Sequence, residues 1–179
     1  LGYDDTFIEK IDDLARRLKE NVNRYFWMDD LDAYAIALNS NMEQVRTVNS
    51  DVCLGLYYGM FDRDKAERLV KNTLMNSQRL LDKYGIRSIS REHHDIYSSD
   101  GYHLGGVWPF QTSIAAIGLE RYGYKKEGAI LREANREIIK ELGDLPELIM
   151  ADQDRPTRRK GSSEPQAWSA AAILLTYYE

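Results

Sequence analysis

The sequence predicts an all-α fold built of helical hairpins, and three observations carry that reading. Apolar residues recur at helical spacing in successive stretches. Gly59, Gly85, Gly123 and Gly143 punctuate the ends of those stretches. The connections alternate between short turns and long polar loops. Both long loops lead into helices that begin beside a tryptophan, so one end of the helical array is the expected place for a site.

The first stretch, from Tyr3 to about Arg24, keeps Phe7, Ile8, Ile11, Leu14, Ala15 and Leu18 on one helical face, with Asp4, Asp5 and Thr6 at its start. Tyr25-Phe26-Trp27-Met28 is too apolar for a free loop. A-Y-A-I-A-L followed by Asn39-Ser40-Asn41 alternates with period two around a turn, which predicts a short β-hairpin within residues 33–48. Ser50 offers a cap for a helix carrying Val52, Cys53, Leu56 and Tyr57. Asp62 offers one for a helix that turns Ala66, Leu69, Val70, Thr73 and Leu74 inward. Gln78 to Leu81 reads as one more helical turn.

An irregular polar stretch from Tyr84 to Gly106 follows. A helix is then predicted over 110–122. Another runs from Lys125 or Lys126 to Leu142, with Ala129, Ile130, Ala134, Ile138 and Ile139 as its buried side. After a second irregular stretch, the last helix spans 166–177 with Ala170, Ile173, Leu174 and Tyr177 inward.

With 179 residues the chain is expected to be one domain able to bury a core. Its net charge of -5 argues against nucleic acid or an anionic membrane as the main partner. The local exception, Arg155 with Arg158, Arg159 and Lys160, reads as a solvated loop. The single cysteine, Cys53, excludes an intramolecular disulfide and fits a reducing, cytoplasmic setting. No apolar run approaches the roughly 20 residues that span a bilayer. The chain starts at Leu1, directly before a helix, which is expected of a piece of something longer.

The stretch Y-H-L-G-G-V-W-P-F (102–110) places Tyr102, His103 and Trp108 around two glycines at the start of a helix. Aromatic faces beside polar edges suit a hydroxylated ring such as a sugar. His93 and His94 are neighbours in sequence without metal-ligand spacing, and no metal is expected. In L-P-E-L, Pro146 stiffens the backbone before Glu147, a carboxylate between leucines and a candidate for proton transfer. Glu164, Gln166 and Trp168 gather at the start of the last helix. Phosphate-binding, dinucleotide and serine-hydrolase signatures are absent from the sequence.

G-I-R-S-I-S (85–90), Y-H-L-G-G-V-W-P-F, G-L-E-R-Y-G-Y (118–124), L-P-E-L and P-Q-A-W-S (165–169), in this order, resemble the C-terminal part of the amylo-α-1,6-glucosidase domain of glycogen debranching enzymes. Neighbouring glycosidases with the same (α/α)6 toroid carry related patterns. The resemblance implies about half of such a toroid, inverting hydrolysis of an α-glucan, and no cofactor. It implies Glu147 as the general base, and Tyr102, His103, Trp108, Gln166, Trp168 and Arg87 as residues that bind the sugar. This chain departs from the family at Leu104, Gly106 and Ser163-Glu164, where Arg, Ser and Cys-Ser are usual. The family's general acid belongs to an earlier segment that Asp29, Asp30 and Asp32 do not match, so the chain alone is expected to be inactive and to need the missing N-terminal part of the barrel. Two alternatives stand beside this expectation. One is a non-catalytic carbohydrate-binding or assembly domain, dimerising through exposed apolar faces; the other is a related toroid glycosidase acting on trehalose or another small glycoside.

Overall fold

The computed structural model describes residues 4–164 and 166–177. Tyr3, and Pro165 of the P-Q-A-W-S segment, lie outside them. Helix α1 spans Asp5–Asn21 and runs on through a π-helical turn at Val22–Phe26. Asp4 caps it, its carboxylate accepting from the Thr6 backbone N–H at 3.1 Å. The apolar stripe that predicts this helix is exposed, with none of Phe7, Ile8, Ile11, Leu14 or Leu18 buried. Lys19 Nζ donates to Gly59 O at 3.0 Å, and Asn23 in the π-helical turn ties this end of the helix to the body. The Asn23 amide donates to Lys19 O and Met60 O, each at 2.8 Å, while its carbonyl oxygen accepts from Tyr34 Oη at 2.6 Å and Asp62 N at 2.9 Å.

Strand β1 (Trp27–Met28) pairs with β2 (Ala33–Tyr34), and β3 (Ala37–Leu38) with β4 (Gln44–Val45), both antiparallel. The predicted hairpin is thus present in its outer half, with Asn39 Oδ1 accepting from Asn41 N and Glu43 N at 2.9 Å each to form the turn. Its inner half pairs backwards instead, because burial of Ala33 and Tyr34 beside Met28 outweighs continuation of the hairpin.

Helix α2 (Val52–Tyr57) starts after Asp51 rather than Ser50. Helix α3 (Arg63–Leu69), extended by a π-helical turn at Val70–Leu74, buries Ala66, Leu69, Val70, Thr73 and Leu74 as expected. The helical turn expected over Gln78 to Leu81 is not formed as such: Leu81–Asp82 (β5) pairs with Gly85–Ile86 (β6). Asp82 Oδ1 accepts from Tyr84 N at 3.0 Å, an Asx-type turn that competes with helix.

Helix α4 (Pro109–Arg121) is the centre, packed against α2, α5 (Lys125–Leu142) and α6 (Ala167–Tyr177). Two features let the helices approach. At Gly118 a Cβ would lie 2.8 Å from both Leu56 Cβ and Tyr57 N, so α2 crosses directly over it. Asn135 is fully buried, and the two hydrogens of its Nδ2 are shared among Pro109 O at 3.1 Å, Ser113 Oγ at 2.8 Å and Thr176 Oγ1 at 3.2 Å, joining α4, α5 and α6. That polar tie rotates α5 away from the expected face. Gly128, Leu131, Ala134, Asn135 and Ile138 are buried, whereas Ala129 and Ile130 are exposed. Likewise α6 buries Ser169, Ala172 and Thr176 and leaves Ala170, Leu174 and Tyr177 exposed. Gly143, at φ 85°, ends α5 in the left-handed region.

Gly118→Ala sets a helix-propensity gain of about 1 kcal/mol against a clash with the α2 backbone. The clash wins, because backbone atoms cannot rotate away. A net loss of about 1–3 kcal/mol is expected from urea denaturation.

Candidate active site

Antiparallel backbone bridges assemble the site. Val107 and Ile149 exchange hydrogen bonds at 2.9 and 3.0 Å, with Arg87 bridged to Val107 and Arg158 to Ile149. Loop segments far apart in sequence thereby run side by side at one end of α4 and α6. Gly105 permits this, since a Cβ there would lie 2.2 Å from Ser98 O. The close approach made possible by this glycine is by the chain's own backbone.

Leu145 and Leu148 are buried on either side of Glu147, which is itself 3% exposed. Its Oε1 accepts from the Tyr102 hydroxyl and from Gln166 Nε2, each at 2.8 Å, and its Oε2 accepts from Ser163 N at 2.6 Å. A carboxylate offers about four lone-pair positions, so one on Oε2 is left for a water. The hydrogen bond to Glu147 raises the Tyr102 pKa above its ordinary value and keeps the phenol a donor at neutral pH.

Trp108 Nε1–H donates to Tyr102 O at 3.0 Å, fixing the indole. Tyr102 meets Trp108 edge-on at 4.8 Å, His103 lies parallel to Trp108 at 5.5 Å, and Trp168 meets Trp108 at 6.1 Å. Trp168 also stacks on Phe110 at 5.8 Å. His103, Trp108, Phe110 and Trp168 line a cavity of about 540 Å³, a size that suits a small ligand. Glu147, Tyr102 and Gln166 stand outside this lining; Glu147 is linked to it by its hydrogen bond from Tyr102, whose ring meets His103 and Trp108 edge-on. Arg159 lies over the Tyr102 ring, 5.3 Å from its centroid.

A family model for the mannosylglycerate hydrolase MGH1-like glycoside hydrolase domain matches residues 3–169. The chain belongs to this glycoside hydrolase family. No curated protein sequence matches it. Among solved structures, the GH63 mannosylglycerate hydrolase of Thermus thermophilus in complex with glucose matches at a TM-score of 0.74 and 19% identity, over 94% of this chain and 40% of that one. Its Tris complex matches at 0.70 and 19%, over 85% and 34%. Neutral trehalase Nth1 of Saccharomyces cerevisiae matches at 0.69 and 18%, over 92% and 30%. The chain thus has the fold of part of an (α/α)6 toroid glycosidase and spans 30–40% of the length of these structures.

Within this glycoside hydrolase domain, the structure brings Glu147, Tyr102, His103, Trp108, Gln166 and Trp168 together and separates Arg87 from them. Arg87 is 4% exposed and engaged with Asp82 at 2.9 Å, Asp152 at 2.6 Å, and the carbonyl of Leu81. It binds the two long loops to each other and does not line the cavity. Glu164 is held outward by Arg158 at 2.6 Å, and His93 Nε2 accepts from Val48 N at 2.9 Å. Arg158 also pairs with Asp144 at 2.7 Å, which absorbs part of the basic run. Among the described residues, no three His, Cys, Asp or Glu side chains are grouped to hold a metal, and no helix is long and apolar enough to cross a membrane. Asn49, Asp51 and Gln111 also stand in the cavity wall, which the sequence did not predict. Asp51 precedes α2 without making a side-chain cap bond.

Burial works to raise the Asp152 pKa, but hydrogen bonds from Tyr97 and Arg87 and the Arg87 and Arg91 charges outweigh it and hold the carboxyl below its ordinary value. A depressed carboxyl stabilises above the unfolded value of about 3.9, and that contribution is lost as pH falls through the folded value. In thermal melts over a pH series, the gap in melting temperature between the native protein and Asp152→Asn is expected to be widest above about pH 5 and to narrow towards acid.

Proposed function

We propose that the complete polypeptide containing this chain is an inverting glycosidase in which Glu147 is the general base. The observation that carries the reading is the Glu147 environment. It is a buried carboxylate fixed by three donors, with one lone pair unused, beside an indole-lined cavity. Fixing by Tyr102, Gln166 and Ser163 orients the group. In an inverting mechanism, the base takes a proton from water as that water attacks the anomeric carbon. An acid about 6.5–9.5 Å from the base protonates the leaving oxygen. The acid is assigned to the part of the toroid outside this chain, as the 40% coverage of the mannosylglycerate hydrolase supports.

Two substrate classes follow from different observations. The matched family and structures are named for mannosylglycerate and trehalose, which favours a small glycoside. The order of the L-P-E-L and P-Q-A-W-S segments favours an α-1,6-linked glucan branch. The first has the further support of Arg159 over Tyr102, a cation able to meet an acidic aglycone.

Glu147→Gln in the complete polypeptide is expected to lower kcat by about 10²–10⁴-fold while leaving sugar binding nearly intact. Proton NMR of fresh product from an α-glycoside is expected to show the β anomer first. Retained turnover, or initial release of the α anomer, would sink the assignment. Comparing trehalose, a mannosylglycerate-type glycoside and a branched dextrin as substrates separates the two classes.

A further inference from the structure

The aromatic residues are one side of the cavity chemistry; its polar residues are unassigned. Asn49, Ser50, Asp51 and Gln111 all line the same cavity as Trp108 and Trp168. Gln111 stands on α4, and the Asn49–Asp51 segment is held by backbone hydrogen bonds. Ser50 N donates to Ser88 O at 3.2 Å and Ser90 N to Val48 O at 2.9 Å, while Ser88 Oγ accepts from Gly105 N at 2.9 Å. The wall bearing Asn49 and Asp51 is therefore pinned to the loop that bears Trp108.

Three details point to a ligand. Ser50 Oγ–H donates to Gln111 Oε1 at 2.8 Å, which orients the carboxamide so that its N–H groups turn towards Asp51, at a long 3.4 Å. Asp51 is exposed to the cavity and, among the described residues, has no cation within ion-pair distance in the structure's salt bridges. Asn49 is 6% exposed; its Oδ1 accepts from Asp51 N at 2.9 Å, and its Nδ2 has no hydrogen-bond partner. A buried amide N–H without an acceptor is uncommon in a native fold; among the described residues Arg87 Nε, Asn135 Oδ1 and Ser169 Oγ are likewise unpaired, and Asn49 is the one of these residues in the cavity wall. An acceptor-rich carboxylate beside amide donors, in a cavity that is otherwise aromatic and aliphatic, matches a neutral pyranose. The apolar faces stack on its C–H surface, and Asp51 takes the protons of its hydroxyls.

We propose that Asp51, oriented together with Gln111 and Asn49, is a hydroxyl-reading group that determines which pyranose the cavity accepts. The negative charge of Asp51 favours hydroxyl donors and disfavours a carboxylate at this end of the cavity. This inference rests on the glycosidase reading above and adds the recognition of the sugar to it.

The test is isothermal titration of the complete polypeptide with methyl α-glucoside, methyl α-mannoside and their monodeoxy derivatives, alongside kcat and KM on the best substrate. Asp51→Asn keeps the side-chain shape, and circular dichroism checks its fold. The expected result is a roughly ten- to hundredfold weaker affinity for the preferred parent sugar. One monodeoxy derivative should bind the native protein and Asp51→Asn equally, and KM should rise while kcat changes little. Gln111→Ala should shift the same sugar in the same direction. Native-like binding of every sugar by Asp51→Asn and Gln111→Ala overturns the inference and leaves the glycosidase reading standing. A collapse of kcat at unchanged affinity also overturns it, since that marks a proton donor. Absence of any pyranoside binding by the native protein defeats the glycosidase reading, and this inference with it.

Discussion

A carboxylate withdrawn from water has to be met by donors, and here Glu147 draws them from three places in the chain. Tyr102 comes from the loop ahead of α4, Ser163 from the loop ahead of α6, and Gln166 from the residue just before α6. Leaving such a group unsatisfied costs several times what one exposed hydrogen bond contributes. The two long loops therefore cannot close independently. Each supplies what the other's buried group requires, and Trp108 is carried into position because its indole N–H is spent on the Tyr102 carbonyl.

The Arg87 pairs with Asp82 and Asp152 serve the same closure from the opposite side of the Val107 bridge. Pairing a buried guanidinium with one buried carboxylate, Asp82, and one exposed carboxylate, Asp152, is a poor source of net stability, because desolvation cancels most of the attraction. Its value is geometric. One guanidinium nitrogen, Arg87 Nη2, donates to both carboxylates and so fixes β5 and the 152 region at one separation, and Tyr97 donates its hydroxyl to Asp152 at 2.5 Å. Beneath these loops, the helical body is drawn together by a glycine, Gly118, and by one shared amide, Asn135. Small size and a shared amide donor achieve there what a purely apolar stripe would not specify.

The cavity that results is walled by Asp51 beside α2 and by the indoles of Trp108 and Trp168, while the Arg159 guanidinium stands outside this lining, over the Tyr102 ring. Trp168 remains 42% exposed and the α1 stripe faces outward, so the described residues form an open arc of the toroid. That openness accords with a chain that spans two fifths or less of the matched glycosidases.

Sequence by itself determined the helices, since a run such as 125–142 needs only local spacing and a terminal glycine to declare itself. It also determined that Tyr102, His103, Trp108, Glu147, Gln166 and Trp168 belong together, through ordered segments resembling a glycosidase family. Which face each helix buries was decided only by tertiary packing. Asn135 on α5 and Thr176 on α6 are buried while Ile130 and Leu174 are exposed, because the Asn135 amide and the Thr176 hydroxyl pair with each other in the core. The fate of Arg87 was likewise invisible: the same residue type serves a sugar or an ion pair, and only the nearness of Asp82 and Asp152 chose between them. Nothing local in Asn49-Ser50-Asp51 distinguishes a helix cap from a cavity wall. That distinction arises from long-range pairing with Ser88 and Gln111, which no spacing along the chain encodes.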